Sequence, residues 1–225
     1  DPAACSGLAE HFTYKTLSKG KQACKLALQR AVGLEENADV PIIACISRLV
    51  GHKGFSLVTD ALHDIMGLDV QMVVLGTGEW QYEEAFRNAQ GQYPGRFAAH
   101  LAYSPALSNL VYAGSDLFLM PSVSEPCGLS QLIAMRFGSI PVVRETGGLK
   151  DTVEPYNEFT GDGNGFTFDR YDAGLLLDAI NRAKTLYFTN RYHWDEVVQR
   201  DMDKDVSWTN SAWQYKNLYL ELTPW

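Results

Sequence analysis

The sequence predicts an α/β fold built on a doubly wound parallel sheet, and three observations carry that expectation. From Pro41 onward, short apolar runs alternate with stretches of helix-forming residues. The runs are apolar at consecutive positions, as strands buried on both faces must be. Glycine-containing loops follow several of them, marking strand-to-helix junctions. Right-handed crossovers between such units give helices on both faces of one sheet.

The elements follow in order. Residues 1–17 show no clear period. From Gly20 the stretch Lys21 to Val32 reads as a helix stopped by Gly33, and Glu35 to Val40 as a polar linker. Pro41 to Ser47 is a buried strand, with Cys45 a core thiol inside it. A helix over Phe55–Met66 precedes a strand at Val70–Leu75, which Gly76-Thr77-Gly78 stops. Glu79–Gln92 is helical, Phe97–Leu101 a strand, Pro105–Ala113 a short helix and Asp116–Pro121 a strand. Gly128–Phe137 is a helix, Ile140–Arg144 a strand and Gly147–Val153 a short helix. Thr160 to Gly165 is the best candidate for flexible chain, and Gly165–Phe168 a last short strand. Asp172 caps a helix over Ala173–Phe188. Two more helical stretches lie near Trp194–Met202 and Thr209–Leu222, the Trp and Tyr run from Trp208 to Tyr219 forming an amphipathic packing face.

Composition narrows the functional classes. With 225 residues, 46% of them hydrophobic and 12% aromatic, the chain is not disordered. A chain this long buries roughly 70% of its unfolded surface and needs no staples. The absence of an apolar run near 18 residues argues against a membrane-spanning helix. A net charge of -8 argues against a nucleic-acid partner. It leaves room for one small anionic ligand, which a few placed cations can hold. Cys5, Cys24, Cys45 and Cys127 show no metal-type spacing, so no metal site is expected and a reducing compartment is favoured. The chain opens at Asp1 without a leader-like segment, which suggests a piece of something longer.

In doubly wound sheets ligands bind beyond the carboxyl ends of the strands. After the first strand, Arg48 and Lys53 stand in a loop before a helix. They suit a phosphate or pyrophosphate, or else are solvated surface cations. Gly76-Thr77-Gly78 alone is a tight turn. Tyr103, after the third strand, reads as a base-stacking side chain or as a packing one. After the fourth, Glu125 suits sugar hydroxyls or simply favours a helix start. Gly128, Leu129 and Ser130 offer amide N–H groups and a hydroxyl. Cys127 has no neighbouring His in sequence and reads as a small apolar filler. After the fifth strand, Gly147 and Gly148 allow close backbone approach to a ligand. Acyl transfer, P-loop and metal-hydrolysis motifs are absent.

Taken in order, the segments Ser47-Arg48-Leu49 with His52-Lys53-Gly54, Leu75 to Gly78, Glu125 to Leu129, Ala134 to Gly138, Thr146 to Leu149 and Val206 to Ala212 closely resemble the C-terminal half of starch and bacterial glycogen synthases. The similarity runs from about Lys21 to Leu220, and the phrasing around Cys45–Val50 and Gln131–Gly138 is most similar to plant soluble synthases of classes III and IV. The resemblance implies a Rossmann-like domain, the C-terminal half of a GT-B glycosyltransferase, divided as linker and leading helix (1–40), nucleotide-sugar-binding domain (41–190) and C-terminal helices (191–225).

It further implies catalytic roles for Arg48, Lys53 and Glu125, the first two clamping the diphosphate of ADP-glucose and the third contacting the glucosyl unit. Binding roles fall to Tyr103 at the adenine, to Cys127, Gly128, Leu129 and Ser130, and to Thr146, Gly147 and Gly148. The implied reaction is retaining transfer of glucose to the 4-hydroxyl of an α-1,4-glucan end, with ADP as product and no cofactor or metal. The partners implied are ADP-glucose or ADP, and an α-glucan held mainly by an N-terminal domain, so the isolated chain is expected to bind ADP weakly and not to elongate glucan. Localisation is plastid for a plant-type enzyme and cytoplasmic otherwise. Relatives usually carry Arg-Phe where Val123-Ser124 stand, Gln at His52 and a basic or small residue at Glu145. Those departures keep two alternatives open: a non-catalytic nucleotide- or glucan-binding module, and a GT-B transferase using UDP-glucose.

Overall fold

The computed structural model describes residues 1–223. Six parallel strands form one sheet: β1 (Ile42–Ile46), β2 (Gln71–Leu75), β3 (Phe97–His100), β4 (Leu117–Met120), β5 (Ile140–Arg144) and β6 (Phe166–Phe168). Their order is β3-β2-β1-β4-β5-β6, the doubly wound arrangement expected from the alternating pattern. Winding reverses between β1 and β4, which opens a crevice at their carboxyl ends. β1, β2 and β4 are almost wholly buried, which is why each reads as an unbroken apolar run.

The helices are α1 (Leu17–Val32), α2 (Phe55–Met66), α3 (Trp80–Gln92), α4 (Pro105–Gly114), α5 (Ser130–Arg136), α6 (Gly147–Thr152), α7 (Ala173–Thr189), α8 (Arg191–Asp203) and α9 (Trp208–Leu222). Asp172 caps α7 as expected, its Oδ1 accepting the Leu175 N–H at 3.0 Å. Phe86 packs edge-on against Phe55 and stacks on Phe97, joining α3 to α2 and β3. All four cysteines are free, and burial pushes the Cys45 thiol up to about 12.

Three expectations are corrected. First, α1 begins at Leu17, not after Gly20. Gly20 lies inside the helix because Phe12 packs on it: a Cβ there would sit 2.3 Å from the Phe12 Cβ. Second, the 160–165 stretch is tied down rather than free. The Arg200 guanidinium donates to the carbonyls of Gly161 and Gly163, and the Asn164 carboxamide bridges Glu154 and Thr152. Third, the aromatic run of α9 packs on nothing sufficient to cover it. None of its residues is buried, and Trp208, Trp213, Tyr215 and Tyr219 are all exposed.

Candidate active site

Four loops meet at the carboxyl ends of the central strands, and their backbones set the geometry. The loop after β1 runs from Ser47 to Gly54 and is stitched to the loop after β4 by the Val123 N–H, which donates to the His52 carbonyl at 2.9 Å. Gly54 has φ +81°, and a Cβ there would lie 1.9 Å from the Pro121 carbonyl oxygen. Glycine is therefore the side chain that lets the two loops touch. Arg144, at the end of β5, braces the same region from below. Its Nε donates to the Ser122 carbonyl at 2.8 Å and its Nη2 to that of Val123.

Two cavities open at this end, one on each side of the β1 terminus, and Ile46 and Ser47 line both. The first, about 270 Å³, lies between β1 and β4 at the winding reversal and is lined by Lys53, Ser122, Glu125, Gly128, Leu129 and Ser130. The second, about 300 Å³, lies between β1 and β2 and is lined by Arg48, Thr77, Tyr103, Ser104 and Ser108. Arg48 and Lys53, paired in the sequence reading, thus stand on opposite sides of one strand end. A ligand crossing Ser47 would reach both.

In the first cavity the Lys53 Nζ donates to Glu125 Oε2 at 2.6 Å, and the Ser122 hydroxyl lies 3.4 Å from the same oxygen. The Glu125 side chain is 9% exposed and that of Lys53 20%. A carboxylate this enclosed needs a charged partner, and Lys53 supplies it. In the second cavity Tyr103 is 90% exposed, presenting its ring to the solvent edge. Arg48 is also exposed and makes no ion pair among the described residues. Packing therefore does not account for Tyr103.

The loop carrying Glu125 is rigid for reasons the sequence only partly shows. Gly128 adopts φ +76°. Gln131, fully buried on α5, sends its Nε2 to the carbonyls of Cys127 (3.1 Å) and Gly128 (3.0 Å) and to the Thr152 hydroxyl (3.2 Å). The Gly148 N–H donates to the Glu125 carbonyl at 3.0 Å, and a Cβ at Gly148 would sit 2.0 Å from the Cys127 carbonyl oxygen. Thr146, Gly147 and Gly148 line neither cavity but dock α6 onto this loop. The two glycines accordingly serve loop-to-loop contact, whatever they do for a ligand.

The departures also find places. Glu145 turns toward β6, accepting the Thr167 hydroxyl at 2.8 Å, with the Lys150 Nζ 3.7 Å away. It points away from the cavities, so its charge does not oppose an anion there. Cys127 is exposed and not the filler that its sequence suggested. Ser47, Ser122, Gln131 and Arg144 escape the sequence reading. Position after a strand was a usable signal for the two serines. Gln131 and Arg144 act on backbone carbonyls, which no side-chain pattern reveals. Among the described residues no group of three or more His, Cys, Asp or Glu side chains is placed to hold a metal ion, and no helix is long and apolar enough to cross a membrane.

An acid, two cations and an exposed tyrosine thus stand around the switch point of a parallel doubly wound sheet, where such folds bind their ligands. Residues 31–196 match the family described as glycosyl transferases group 1, and the chain belongs to that family. It is 49% identical over 222 residues to the glycogen synthase of Geobacillus thermodenitrificans and 46% identical to that of Desulforamulus reducens, covering 99% of this chain and 45% of each relative. The catalytic domain of starch synthase IV from Arabidopsis thaliana, bound to ADP and acarbose, superposes with a TM-score of 0.90 at 38% identity over 98% of this chain and 46% of that one. Sucrose-phosphate synthase from Thermosynechococcus elongatus shares the fold, with a TM-score of 0.62 over 87% of this chain and 48% of its own. The chain spans about half the length of the relatives it matches.

Proposed function

We propose that this chain is the ADP-glucose-binding half of a retaining α-1,4-glucan synthase. The observation that carries the reading is the pair of cavities joined at Ser47, one holding Lys53 and Glu125 and the other Arg48 and Tyr103. In this reading adenine lies on the exposed Tyr103 ring and the diphosphate crosses the β1 end between Arg48 and Lys53. The glucosyl unit then meets Glu125, with Gly128, Leu129 and Ser130 at its side. The 49% identity to a glycogen synthase, and the likeness to a starch synthase bound to ADP and acarbose, support the assignment.

The chemistry follows from charge. Breaking the sugar–phosphate bond places negative charge on the departing ADP, and two fixed cations stabilise it more in the transition state than in the substrate. Without donor, Lys53 neutralises Glu125. A diphosphate draws the ammonium toward itself and leaves Glu125 free to accept hydroxyl groups of the sugar. The glucan acceptor is held mainly by an N-terminal domain, and this chain alone does not elongate glucan.

Calorimetric titration with ADP tests the reading. Saturable binding should weaken by about tenfold or more in Arg48→Ala, a loss of at least ~1.4 kcal/mol. Absence of ADP binding, or equal binding by the variant, would overturn it.

A further inference from the structure

Lys204, the residue just past α8, lines neither strand-end cavity yet reaches the support of one of them. Its Nζ donates to the carbonyl of Thr152, the last residue of α6, at 2.9 Å. We propose that Lys204 is a positioning residue for the sugar end of the donor site, holding α6 so that the loop carrying Glu125 keeps its place. The sugar assignment rests on the function proposed above; the support itself is argued from hydrogen bonds and packing.

α6 is a strut with a small footing. It has six residues, and a helix that short holds its shape through its neighbours. Leu149 and, just past its end, Val153 pack with Met135 and Val143 in a small cluster apart from the main core. The first turn of α6 meets the Glu125 loop, where the Gly148 N–H donates to the Glu125 carbonyl. The last turn presents carbonyls that no later turn satisfies. Lys204 and the Asn164 Nδ2 (3.3 Å) both donate to that of Thr152, and a cation suits a helix C-terminus. Lys204 brings firm anchorage with it: Trp194, Val197, Val198 and Met202 of α8 are buried in the main core.

The Thr152 side chain passes this hold on by a second route. Its Oγ1 donates to the Gly148 carbonyl at 2.6 Å and accepts from the Gln131 Nε2, which also holds the carbonyls of Cys127 and Gly128. Both routes end on the loop beside the sugar. The nearest acid on α8 does not compete for the ammonium. Asp201, three residues earlier, has a buried carboxyl with no hydrogen-bond partner among the described residues. Burial pushes that carboxyl well above the usual carboxylate range against the pull of Lys204. The nucleotide end stands on other supports. The Leu49 N–H donates to the Thr77 carbonyl at 2.9 Å and the Glu79 N–H to the Leu49 carbonyl at 2.7 Å, tying the Arg48 loop to the loop after β2. Loosening α6 therefore acts on the sugar more than on the nucleotide.

The test compares calorimetric titration of the full chain with ADP and with ADP-glucose. Lys204→Met should weaken ADP-glucose binding by about fivefold and ADP binding by clearly less, as loss of coupling between a support and a site does. Lys204→Arg, which keeps a cation at the end of α6, should restore it, and Thr152→Val should reproduce the selective loss. In a double-mutant cycle, the losses from Lys204→Met and Glu125→Gln should be less than additive. Without ligand, hydrogen exchange of the Gly148 amide should quicken in Lys204→Met while that of the β1 amides stays unchanged. An equal fall in both affinities, additivity with Glu125→Gln, or unaltered exchange at Gly148 overturns the positioning role and leaves the donor site standing. A wild-type chain that binds neither ADP nor ADP-glucose overturns the donor-site reading, and the sugar role of Lys204 with it.

Discussion

Lys53 and Glu125 form the one charged contact inside the strand-end cavities, and its enclosure makes it worth measuring. Removing either partner leaves the other poorly solvated, so Lys53→Ala should destabilise the fold by about 1–3 kcal/mol. Replacing both, as Lys53→Met with Glu125→Gln, should cost less than the sum of the single changes. A double-mutant cycle in urea reads this coupling, and additivity within error would mean that the pair is only a solvated contact. Arg48 makes the contrast: exposed and unpaired among the described residues, it should change ADP affinity with no shift in midpoint. The placement of these three residues beside the strand-end cavities was legible in the sequence, because ligands of a doubly wound sheet bind just past its strands. Gln131 was not legible. Its partners are the carbonyls of Cys127 and Gly128, and nothing about a glutamine three residues beyond a glycine distinguishes a buried brace from a surface side chain.

The elements themselves were largely written in the pattern. β5 and α2 occupy the residues that the apolar runs and helix formers predicted, because a buried parallel strand and an amphipathic helix have different periods. The errors fall where a partner distant in sequence decides. Gly20 looked like a helix boundary, but it is an interior position that makes room for Phe12. The aromatic run of α9 looked like a packing face, yet none of its residues is buried among the described residues. The glycines before α6 looked like a ligand cradle, and their closest neighbours are the carbonyls of Glu125 and Cys127. That contact makes a prediction at this scale. Gly148→Ala would place a methyl group 2.0 Å from a carbonyl oxygen, so α6 and the loop carrying Glu125 must separate. The variant should lose about 1–3 kcal/mol of stability, as overpacking does, and should also weaken ADP binding through Glu125 and its neighbours. Unchanged ADP affinity in a folded Gly148→Ala protein would show that loop docking and donor binding are independent.

Across the whole molecule, the candidate site and a second set of buried charges sit at opposite ends of the sheet. The carboxyl ends carry the paired cavities. Before β4 and β5, at the amino ends, lies a second set of charges: Lys25 pairs with Asp116 at 2.9 Å, and Lys21 donates to the carbonyls of Phe137 and Tyr112. Burial pushes the Lys21 ammonium down to about 7 against the attraction of Asp116, because carbonyls alone replace its water. Lys25 moves the other way: Asp116 and the Tyr187 hydroxyl outweigh its burial, so its pKa is raised. The two lysines therefore act in different ranges. Between about 7 and the ordinary lysine value of 10.5, the unfolded chain binds a proton at Lys21 that the folded chain does not. Stability should accordingly rise with pH in that window, by at most about 1.4 kcal/mol per pH unit for one proton, and be lost as pH falls through 7. Lys25 adds stability that is present below 10.5 and disappears only above it, so it does not affect the window. Cys45 sets the upper limit of a clean measurement. Its folded thiol stays protonated to about 12, whereas the unfolded thiol ionises near 9.0 and cancels the slope. Urea unfolding between pH 7 and 8.5 should therefore show a positive slope in the wild-type chain that Lys21→Met flattens. Parallel slopes in the two proteins would mean that Lys21 stays charged in the fold, with the neighbouring carbonyls and Asp116 fully replacing its water.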